Sequence, residues 1–481
     1  MNVLAHLAPT KVFHFFEAIS AIPRGSGNEQ GMVDYLVAFA KERGLSYTTD
    51  AHLNVIIEKP ATPGYEGKQP FIIQSHTDMV NEKNEGVEHD FETEGLKLYI
   101  DGDFVTAQGT TLGADNGIAV AMTLALMDGD YQHPHLKGLF TSNEEAGMDG
   151  AKYVDTKHFE DCNYLINLDS SDEGSFTISC AGGQRHQVII PVTYEKTPAK
   201  SSTFSIKISG LEGGHSGIDI NKGLGNSNKI LARVLHTLEK QDELYLSHIT
   251  GGLKTNAIPR EATAVVTVSS DFEAELRATL TELETTLKKE HRESEKNIHI
   301  EVTPAPTPMR VMSFGTTTDV ISALMLIPNG VYRLAANGDL VTSSNMGVVS
   351  TEGDTVILDN LTRSNINSEK QLIVEQTGAL AALLEADHVY DQDKFGGWEF
   401  REDSPLREIC VAVHKQVTGQ EPGLVATHGG LECGIFATRM PHLDIISFGP
   451  NNYYLHTPDE RLSISSTERV YDYLVALVAA L

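Results

Sequence analysis

Side chains able to bind metal ions follow three short apolar segments of the sequence. After the first segment, SHTDMV supplies His76 and Asp78. After the second, TSNEEAG supplies Glu144 and Glu145, and after the third, NLDSSDEG supplies Asp169. Short apolar segments of this kind are typical of buried strands, and the carboxyl ends of such strands form sites at one edge of an open α/β sheet. The spacing therefore predicts that these imidazole and carboxylate groups lie close together.

Two further candidates lie outside these segments. GTTLGADNG places Asp115 before the apolar stretch Gly117–Asp128, and GPNNYYLHTPDE places His456 after a late apolar segment. Zinc binds neutral imidazole nitrogen and carboxylate oxygen, and a catalytic zinc site keeps one position for water. Two zinc ions about 3.5–4 Å apart need a bridging carboxylate. Because such a group of carboxylates would repel itself without cations, the pattern predicts a metal centre.

Each motif alone also has an ordinary structural interpretation. A histidine and an aspartate after a strand can form a capped turn, adjacent glutamates are usually solvated, and Asp169 can cap a turn or a helix. The recurrence of acidic groups where apolar segments end favours the metal centre over these interpretations.

The composition excludes several classes of partner and location. The chain has 481 residues, with 37 Lys and Arg against 66 Asp and Glu, a net charge of −29. This charge argues against nucleic acid or an anionic membrane as partner, because both are polyanions. The four cysteines form no CxxC pair, the N-terminus lacks the pattern of a signal peptide, and no apolar run approaches about 18 residues. We therefore expect a cytoplasmic protein.

Strands alternate with helices in the first and last parts of the chain. The predicted strands are Phe71–Gln74, Leu136–Ser142, Tyr164–Leu168 and Leu443–Gly449. The predicted helices are Lys11–Ser20, Glu29–Arg43, Gly117–Asp128, Pro405–Thr418 and Thr467–Ala480. This alternation predicts an α/β sheet that helices cover on both faces.

The middle of the chain changes to a strand–helix–strand–strand–helix order. Its predicted helices are Ser227–Glu239, Asp271–Lys288 and Glu369–Leu384. We predict a catalytic domain made of residues 1–190 and 400–481, with an α+β domain of residues 191–399 inserted into it.

Two details of the inserted domain are also predicted. One option is that the domain consists of two similar halves, in which Thr255-Asn256 and Ser344-Asn345 occupy similar places. The stretch Asp387–Phe400 is predicted to be a linker that returns to the catalytic domain.

The order of the motifs SHTDMV, GADNG, NEEAG, NLDSSDEG and LHTPDE resembles the di-zinc peptidases related to carboxypeptidase G, aminoacylase, peptidase T and carnosinase. The resemblance covers nearly the whole chain and is strongest to the branch that cleaves aminoacyl-histidine dipeptides. It implies a mixed-sheet α/β zinc-peptidase catalytic domain with an inserted α+β lid domain. It also implies a zinc-dependent hydrolase of unblocked dipeptides, Xaa-His and β-alanyl-histidine (carnosine) among them.

The resemblance implies a role for each residue of the predicted metal centre. Asp115 bridges two zinc ions; His76 and Asp169 complete the site of one ion, and Glu145 and His456 complete the other. Cobalt or manganese could replace zinc, since such ligands also bind those ions.

Two residues beside the ligands have catalytic roles by the same resemblance. Glu144 is the general base, which takes a proton from the water that the metal ions bridge and passes it to the leaving amine. Asp78 hydrogen-bonds the imidazole of His76 and orients it.

Four more residues are implied to contact substrate. His215, in GLEGGHSGIDI, would stabilise the oxyanion, Asn256 would contact the substrate, and Arg363 would hold its carboxylate. Glu432, in HGGLECG, would contact the amino end. A lid that holds the carboxylate at a fixed distance from the metal ions would favour dipeptides. The lid residues act either within one chain or from the partner chain of a homodimer.

Other functions remain open at this point. The same zinc site would serve a deacylase of N-acyl amino acids, or the chain could be a metal-binding protein without activity. The presence of Glu144 argues against the latter, since a structural site needs no spare base. A serine hydrolase is disfavoured because GGHSG is not the nucleophile motif G-x-S-x-G.

Overall fold

The computed structural model describes residues 3–481, apart from the side chain of residue 391. The chain forms two compact units, and each is described below by itself. The first unit comprises the chain up to Ser179 together with Trp398–Ala426 and Leu431–Leu481. The second unit comprises Cys180–Gly397 and Thr427–Gly430. Among the described residues, no helix is long and apolar enough to cross a membrane.

The ends of the helices lie close to the ends of the periodic apolar segments in the sequence. In chain order they are α1 (Thr10–Ser20), α2 (Gln30–Glu42), α3 (Ala114–Met127), α4 (Asp149–Tyr153), α5 (Ser227–Glu239), α6 (Glu273–Glu290), α7 (Phe314–Leu326), α8 (Asn367–Leu383), α9 (Pro405–Thr418), α10 (Glu432–Arg439) and α11 (Ile464–Ala480). Short 3₁₀ turns occupy Thr156–Phe159 and Ser270–Phe272.

The strands are short in the first unit and longer in the second. In chain order they are β1 (Ser46–Thr49), β2 (Val55–Lys59), β3 (Phe71–His76), β4 (Leu98–Asp101), β5 (Phe104–Ala107), β6 (Leu136–Thr141), β7 (Tyr164–Asn167), β8 (Ser175–Cys180), β9 (Gly182–Pro191), β10 (Tyr194–Lys196), β11 (Ser201–Ser209), β12 (Gly214–His215), β13 (Tyr245–Gly251), β14 (Ala257–Ile258), β15 (Ala262–Ser269), β16 (His299–Pro304), β17 (Arg310–Met312), β18 (Gly330–Leu334), β19 (Leu340–Glu352), β20 (Thr355–Ser364), β21 (Asp387–Phe395), β22 (Gly423–Thr427), β23 (Asp444–Ser447), β24 (Asn452–Tyr453) and β25 (Arg461–Ser463).

The first unit is built on a mixed sheet with the strand order β1-β2-β6-β3-β7-β23-β8-β22. The central strands β6, β3, β7 and β23 are parallel, while β2 and β8 pair antiparallel to them. The parallel register pairs His76 with Thr141 and Gln74 with Asn167, so these strands end at one edge of the sheet. All residues of β3 and β6 are buried, which explains their continuous apolar sequences.

Helix α3 and a small second sheet complete the part of the first unit that carries the candidate site. Nearly every residue of α3 is buried, because it packs against both α1 and β3. The small sheet has the order β24-β25-β5-β4, and His456 lies in the connection between β24 and β25. The backbone of His456 is left-handed, with φ of 62°.

The second unit contains one large sheet, in the order β16-β11-β15-β13-β19-β20-β9-β21, with β18 also paired to β19. The pairings determined within it are antiparallel, and β19 and β20 place Ser343 opposite Arg363. A separate pair, β12 and β14, places His215 opposite Ala257. Helices α5, α6, α7 and α8 supply the apolar residues that pack with the sheet in the core of this unit.

The structure confirms the predicted α/β class with mixed sheets, and each predicted helix is present with ends that shift by less than one turn. Two predictions for the second unit are wrong. The stretch predicted as a linker contains β21, which pairs with β9 at the end of the sheet, where an edge strand tolerates the charged residues that hid it. Thr255-Asn256 lies in a loop, whereas Ser344-Asn345 lies within the paired strand β19, so the two places are not equivalent.

Candidate metal centre

Six side chains of the first unit converge where the central strands end. Strand β3 ends on one of them, and the segments after β6 and β7 carry three more. The first turn of α3 and the connection between β24 and β25 carry the remaining two. These residues are His76, Asp115, Glu144, Glu145, Asp169 and His456.

Asp115 lies between the two histidines. Its Oδ1 is 3.1 Å from Nε2 of His76, and its Oδ2 is 3.2 Å from Nε2 of His456. Burial opposes the ionisation of Asp115, but hydrogen bonds with His456 and His76 lower its pKa below the ordinary value. The carboxylate therefore presents one oxygen atom to each histidine, which is the arrangement that a bridging ligand needs.

The groups around Asp115 form two sets of ligand atoms that share this residue. His76, Asp115 and Asp169 form one set, and Asp115, Glu145 and His456 form the other, with the ligand atoms of each set within 4.8 Å of one another. Nε2 of His76 is 3.7 Å from Oδ1 of Asp169, and Nε2 of His456 is 2.9 Å from Oε1 of Glu145. Ligands on a tetrahedral zinc ion, with bonds of about 2.0–2.1 Å, lie about 3.3 Å apart. The donor atoms and their spacing thus fit two metal ions.

The pKa shifts within the cluster also favour bound cations. Hydrogen bonds with Asp115 and Glu145 raise the pKa of His456 to about 11. Burial and the neighbouring charge of Asp115 raise the pKa of Asp169 well above its usual value. Both shifts favour the protonated forms, and bound cations would take the place of these protons.

Asp78 connects the imidazole of His76 to the segment after β6. Its Oδ1 lies 3.3 Å from Nδ1 of His76. Its carboxylate also accepts the backbone N–H groups of Glu144 (3.0 Å) and Glu145 (3.2 Å) and the hydroxyl of Ser26 (2.7 Å). One buried carboxylate therefore orients a histidine of the cluster and the backbone of two acidic residues at once.

Glu144 belongs to neither set that contains Asp115, but its carboxylate forms a third set of close donor atoms with His76 and Glu145. Its Oε2 is 3.9 Å from Nε2 of His76. Burial raises the pKa of Glu144 well above its usual value, and the charges of Asp169 and Glu145 act in the same direction. A carboxylate with a raised pKa beside the ligands suits a group that accepts and returns a proton.

The sequence interpretation missed residues that hold these segments in place. The buried guanidinium of Arg24 donates to the carbonyl oxygen atoms of Thr77 (3.2 Å), Asp78 (3.4 Å) and Gly113 (2.5 Å). A Cβ atom on Gly113 or Gly117 would lie 2.6 Å from Nη2 of Arg24, so the close approach of this side chain requires glycine at both positions.

Glu29 and Glu460 were also missed. Glu29 was predicted as the first residue of a helix, but its buried carboxylate accepts the backbone N–H of Asn143 at 2.9 Å. Glu460, in the motif of His456, accepts the backbone N–H of Asp115 at 3.2 Å. Charged residues in loops usually indicate solvent exposure, so only their positions within the motifs could have suggested these roles.

Glu432 is fully buried in the first unit at the start of α10. Its Oε2 accepts hydrogen bonds from Nε2 of Gln74 (2.5 Å) and Oγ1 of Thr141 (2.7 Å). Burial raises the pKa of Glu432 to about 7. Its Oε1 is buried without a hydrogen-bond partner among the described residues, and the predicted contact with the amino end of a substrate stays a prediction.

His215 and Asn256 are neighbours in the second unit. The backbone N–H groups of Gly217 and Ile218 donate to Nδ1 of His215, each at 3.2 Å, so the proton of a neutral ring lies on Nε2. The backbone carbonyl of Asn256 accepts the N–H of Ser216 at 2.9 Å, while its side chain is exposed.

Arg363 is nine-tenths buried in the second unit and carries a charge that no carboxylate balances. Among the described residues, no acidic group lies within 4.0 Å of its guanidinium, and Nε is buried without a hydrogen-bond partner. Burial lowers the pKa of Arg363 to about 10. Nearby, Nε2 of His428 lies 2.8 Å from the hydroxyl of Ser343, the residue opposite Arg363 on β19.

A mixed α/β sheet with a paired histidine–carboxylate cluster at the edge where its parallel strands end is typical of metal-dependent hydrolases. The model of Peptidase family M20/M25/M40 matches residues 72–480, and the chain belongs to this family. It is therefore a metallopeptidase, and thus a hydrolase.

Two relatives match almost the whole chain. The cytosol non-specific dipeptidase of Escherichia coli (strain K12) is 36% identical over 481 residues, which is 99% of each protein. The solved structure of aminoacylhistidine dipeptidase from Vibrio alginolyticus has a TM-score of 0.91 and 36% identity, and covers 99% of this chain and 98% of its own. The structure of aminopeptidase PepT from Bacillus cereus has a TM-score of 0.59 at 15% identity, covers 98% of this chain and 99% of its own, and shares the fold.

Proposed function

We propose that this metallopeptidase hydrolyses unblocked dipeptides in the cytoplasm with two metal ions held on either side of Asp115. The observation that carries the proposal is that Oδ1 of Asp115 faces His76 while Oδ2 faces His456. The names of the two full-length relatives, both dipeptidases, support the same class of substrate. Zinc suits the nitrogen and oxygen donors, and cobalt or manganese are the substitutes that such donors accept.

The five ligands of the proposed centre divide as the two sets of donor atoms do. His76 and Asp169 hold one ion, Glu145 and His456 hold the other, and Asp115 serves both. When bound, the ions would polarise the scissile carbonyl group and lower the pKa of a water molecule. Asp78 keeps the imidazole of His76 in the orientation that ligation needs.

Glu144 moves the proton of the reaction. Its carboxylate accepts a proton from the attacking water molecule and donates it to the nitrogen of the leaving amine. Burial raises the pKa of Glu144 and so favours the protonated form that the second step requires. Asp78 fixes the backbone of Glu144 through its N–H group.

The second unit carries the remaining residues to which we assign roles in substrate binding. Arg363 binds the carboxylate of the dipeptide, because a buried guanidinium without an acidic partner gains most from an anionic ligand. His215 donates from Nε2 to the oxyanion that forms at the scissile carbonyl, and its Nδ1 is already occupied by two backbone donors. Asn256 contributes a further polar contact from its exposed side chain.

The substrate class includes Xaa-His dipeptides such as β-alanyl-histidine, as the name of the Vibrio alginolyticus relative suggests. A panel of unblocked dipeptides, their N-acetyl forms and matching tripeptides tests the proposal. We expect cleavage of the unblocked dipeptides that a chelator abolishes and zinc restores, with little cleavage of the other two groups. Metal-dependent cleavage of N-acyl amino acids alone would instead identify a deacylase.

A further inference from the structure

The carboxylate of Glu460 is buried beneath the segment that carries Asp115. Oε2 accepts the backbone N–H groups of Leu112 and Gly113, both at 2.8 Å. Oε1 accepts those of Ala114 (2.9 Å) and Asp115 (3.2 Å). Four successive backbone donors therefore point at one side chain, and the last of them belongs to the residue that faces both histidines.

A fifth donor and a buried cation complete this arrangement. Nδ2 of Asn452 donates to Oε1 of Glu460 at 3.0 Å. On the carbonyl side of the same segment, Arg24 donates to Gly113 at 2.5 Å. Each of these five hydrogen bonds to the carboxylate of Glu460 comes from an N–H group, so its two oxygen atoms serve as acceptors in all of them.

Glu460 also joins two ligand-bearing segments that are far apart in the sequence. It follows His456 by four residues and contacts the backbone of Asp115, whose Oδ2 lies 3.2 Å from Nε2 of His456. A shift of Glu460 would therefore move a bridging carboxylate relative to both of its histidines. A positioning error of about 1 Å is enough to weaken a metal site substantially.

We propose that Glu460 is a positioning residue that fixes Asp115 between the two metal ions. The proposal rests on the two-metal centre proposed above. A purely structural role is the alternative, because a carboxylate at the N-terminus of α3 also stabilises that helix. The two roles differ in what they predict for metal affinity.

The substitution Glu460→Gln separates them. Glutamine keeps the volume of the side chain, but its N–H₂ group would face backbone N–H donors. The hydrogen bonds made to one of the two carboxylate oxygen atoms are therefore lost in the variant. We expect zinc affinity, measured by competition with a chromophoric chelator, to fall about 10- to 100-fold, as it does when outer partners of metal ligands are removed. Excess zinc should restore the activity of the folded variant.

Asp444→Asn is the matched control. Asp444 is a buried carboxylate of the large mixed sheet that accepts hydrogen bonds from Ser404 (2.7 Å) and Leu406 (2.9 Å), and it lies at the amino end of β23. This variant should lose thermal stability and keep the zinc affinity of the unchanged protein. Zinc binding by Glu460→Gln as tight as that of the unchanged protein would overturn the inference, although the proposed function would stand.

Hydrogen exchange of the unchanged protein provides a test that does not depend on a variant. In the metal-free protein, the backbone N–H groups of residues 112–115 should remain protected from exchange, because their hydrogen bonds go to the carboxylate of Glu460 and do not depend on the metal ions. Exchange at the intrinsic rate would overturn the inference. Failure of the unchanged protein to bind zinc would instead contradict the proposed function itself.

Discussion

The two units differ in the sign of the charge that they leave unbalanced. In the first unit, Asp115, Glu145 and Asp169 lie within 4.8 Å of a histidine nitrogen that shares their set of donor atoms. In the second unit, Arg363 is buried without a carboxylate within 4.0 Å among the described residues. An unbalanced buried charge destabilises a protein unless a ligand compensates it. The comparison therefore supports the proposal that the first unit binds cations and the second binds an anion.

The pKa shifts of a histidine in each unit differ in the same way. Asp115 and Glu145 raise the pKa of His456 in the first unit to about 11. In the second unit, burial and the charge of Arg363 lower the pKa of His428 to about 4. The pKa of histidine is thus raised beside the carboxylates of the first unit and lowered by burial and a cation in the second.

The largest effect is expected from Glu144→Gln in the first unit. Glutamine keeps the volume of the side chain and cannot accept the proton of water, so kcat should fall by about 10²- to 10⁴-fold. The zinc content, measured by elemental analysis, should not change, whereas Glu145→Gln should lower it. Unaltered turnover by Glu144→Gln would contradict the assignment of the general base.

The next effect is expected from Arg363→Met in the second unit. Loss of a charge-assisted contact of about 1.5–3 kcal/mol should lower kcat/KM for a dipeptide about 10- to 100-fold, mainly through KM. The kcat/KM of Arg363→Lys should lie between those of the unchanged protein and Arg363→Met, because lysine keeps the charge and lacks the bidentate geometry. Arg185→Met is the control, since Arg185 in the same sheet is already paired with Asp359 at 2.5 Å.

The substrate offers an independent check of the same contact. A dipeptide amide, which has no terminal carboxylate, should be a poor substrate of the unchanged protein and lose little more with Arg363→Met. An equal additional loss on the amide would show that Arg363 does not bind the carboxylate.

Removal of the metal ions should destabilise the protein. Ions at about 100 times their Kd stabilise the folded state by about 2.7 kcal/mol each, so a chelator should lower the midpoint of thermal unfolding by several degrees. Asp115→Asn should show a much smaller response to the chelator in scanning calorimetry. Hydrogen exchange should increase around Glu145 and His456 and remain unchanged around Arg363; an equal increase in both units would contradict the comparison.

The smallest effect concerns the pKa of His428. Arg363→Met removes a cation beside the ring and should raise this pKa above about 4, towards the ordinary value, as measured by NMR with His428→Gln for assignment. Because the folded pKa lies below the unfolded value, neutral His428 contributes stability above about pH 6.5 that is lost as the pH falls towards 4. Arg185→Met should leave this pKa unchanged.

The sequence predicted the strands that carry the cluster because parallel strands are buried on both faces. Strands β3, β6 and β7 are continuous apolar segments with polar residues directly after them, so their ends could be located from sequence alone. The edge strand β21 could not be recognised, because one side of an edge strand faces no neighbour and its residues need not be apolar.

The partners of the cluster were harder to predict than its ligands. Arg24, Glu29 and Glu460 are charged residues in loops, and sequence gives no sign that their charges are buried against backbone groups. Their partners are N–H and C=O groups, which every residue possesses, so no pairing pattern of side chains marks them. Glu432 shows the same limit, since a glutamate in a glycine-rich loop gave no indication of complete burial.

The count of metal ions tests the central claim most directly. The protein would be stripped with a chelator, refilled with zinc and analysed for bound zinc, alongside Asp115→Asn and Glu145→Gln. Because Asp115 lies within 3.2 Å of both histidines, whereas the 2.9 Å contact of Glu145 is with His456, we expect two ions in the unchanged protein, one tight ion with Glu145→Gln and none with Asp115→Asn. Two tightly bound ions in Asp115→Asn, or a single ion in the unchanged protein, would contradict a centre built around a shared carboxylate.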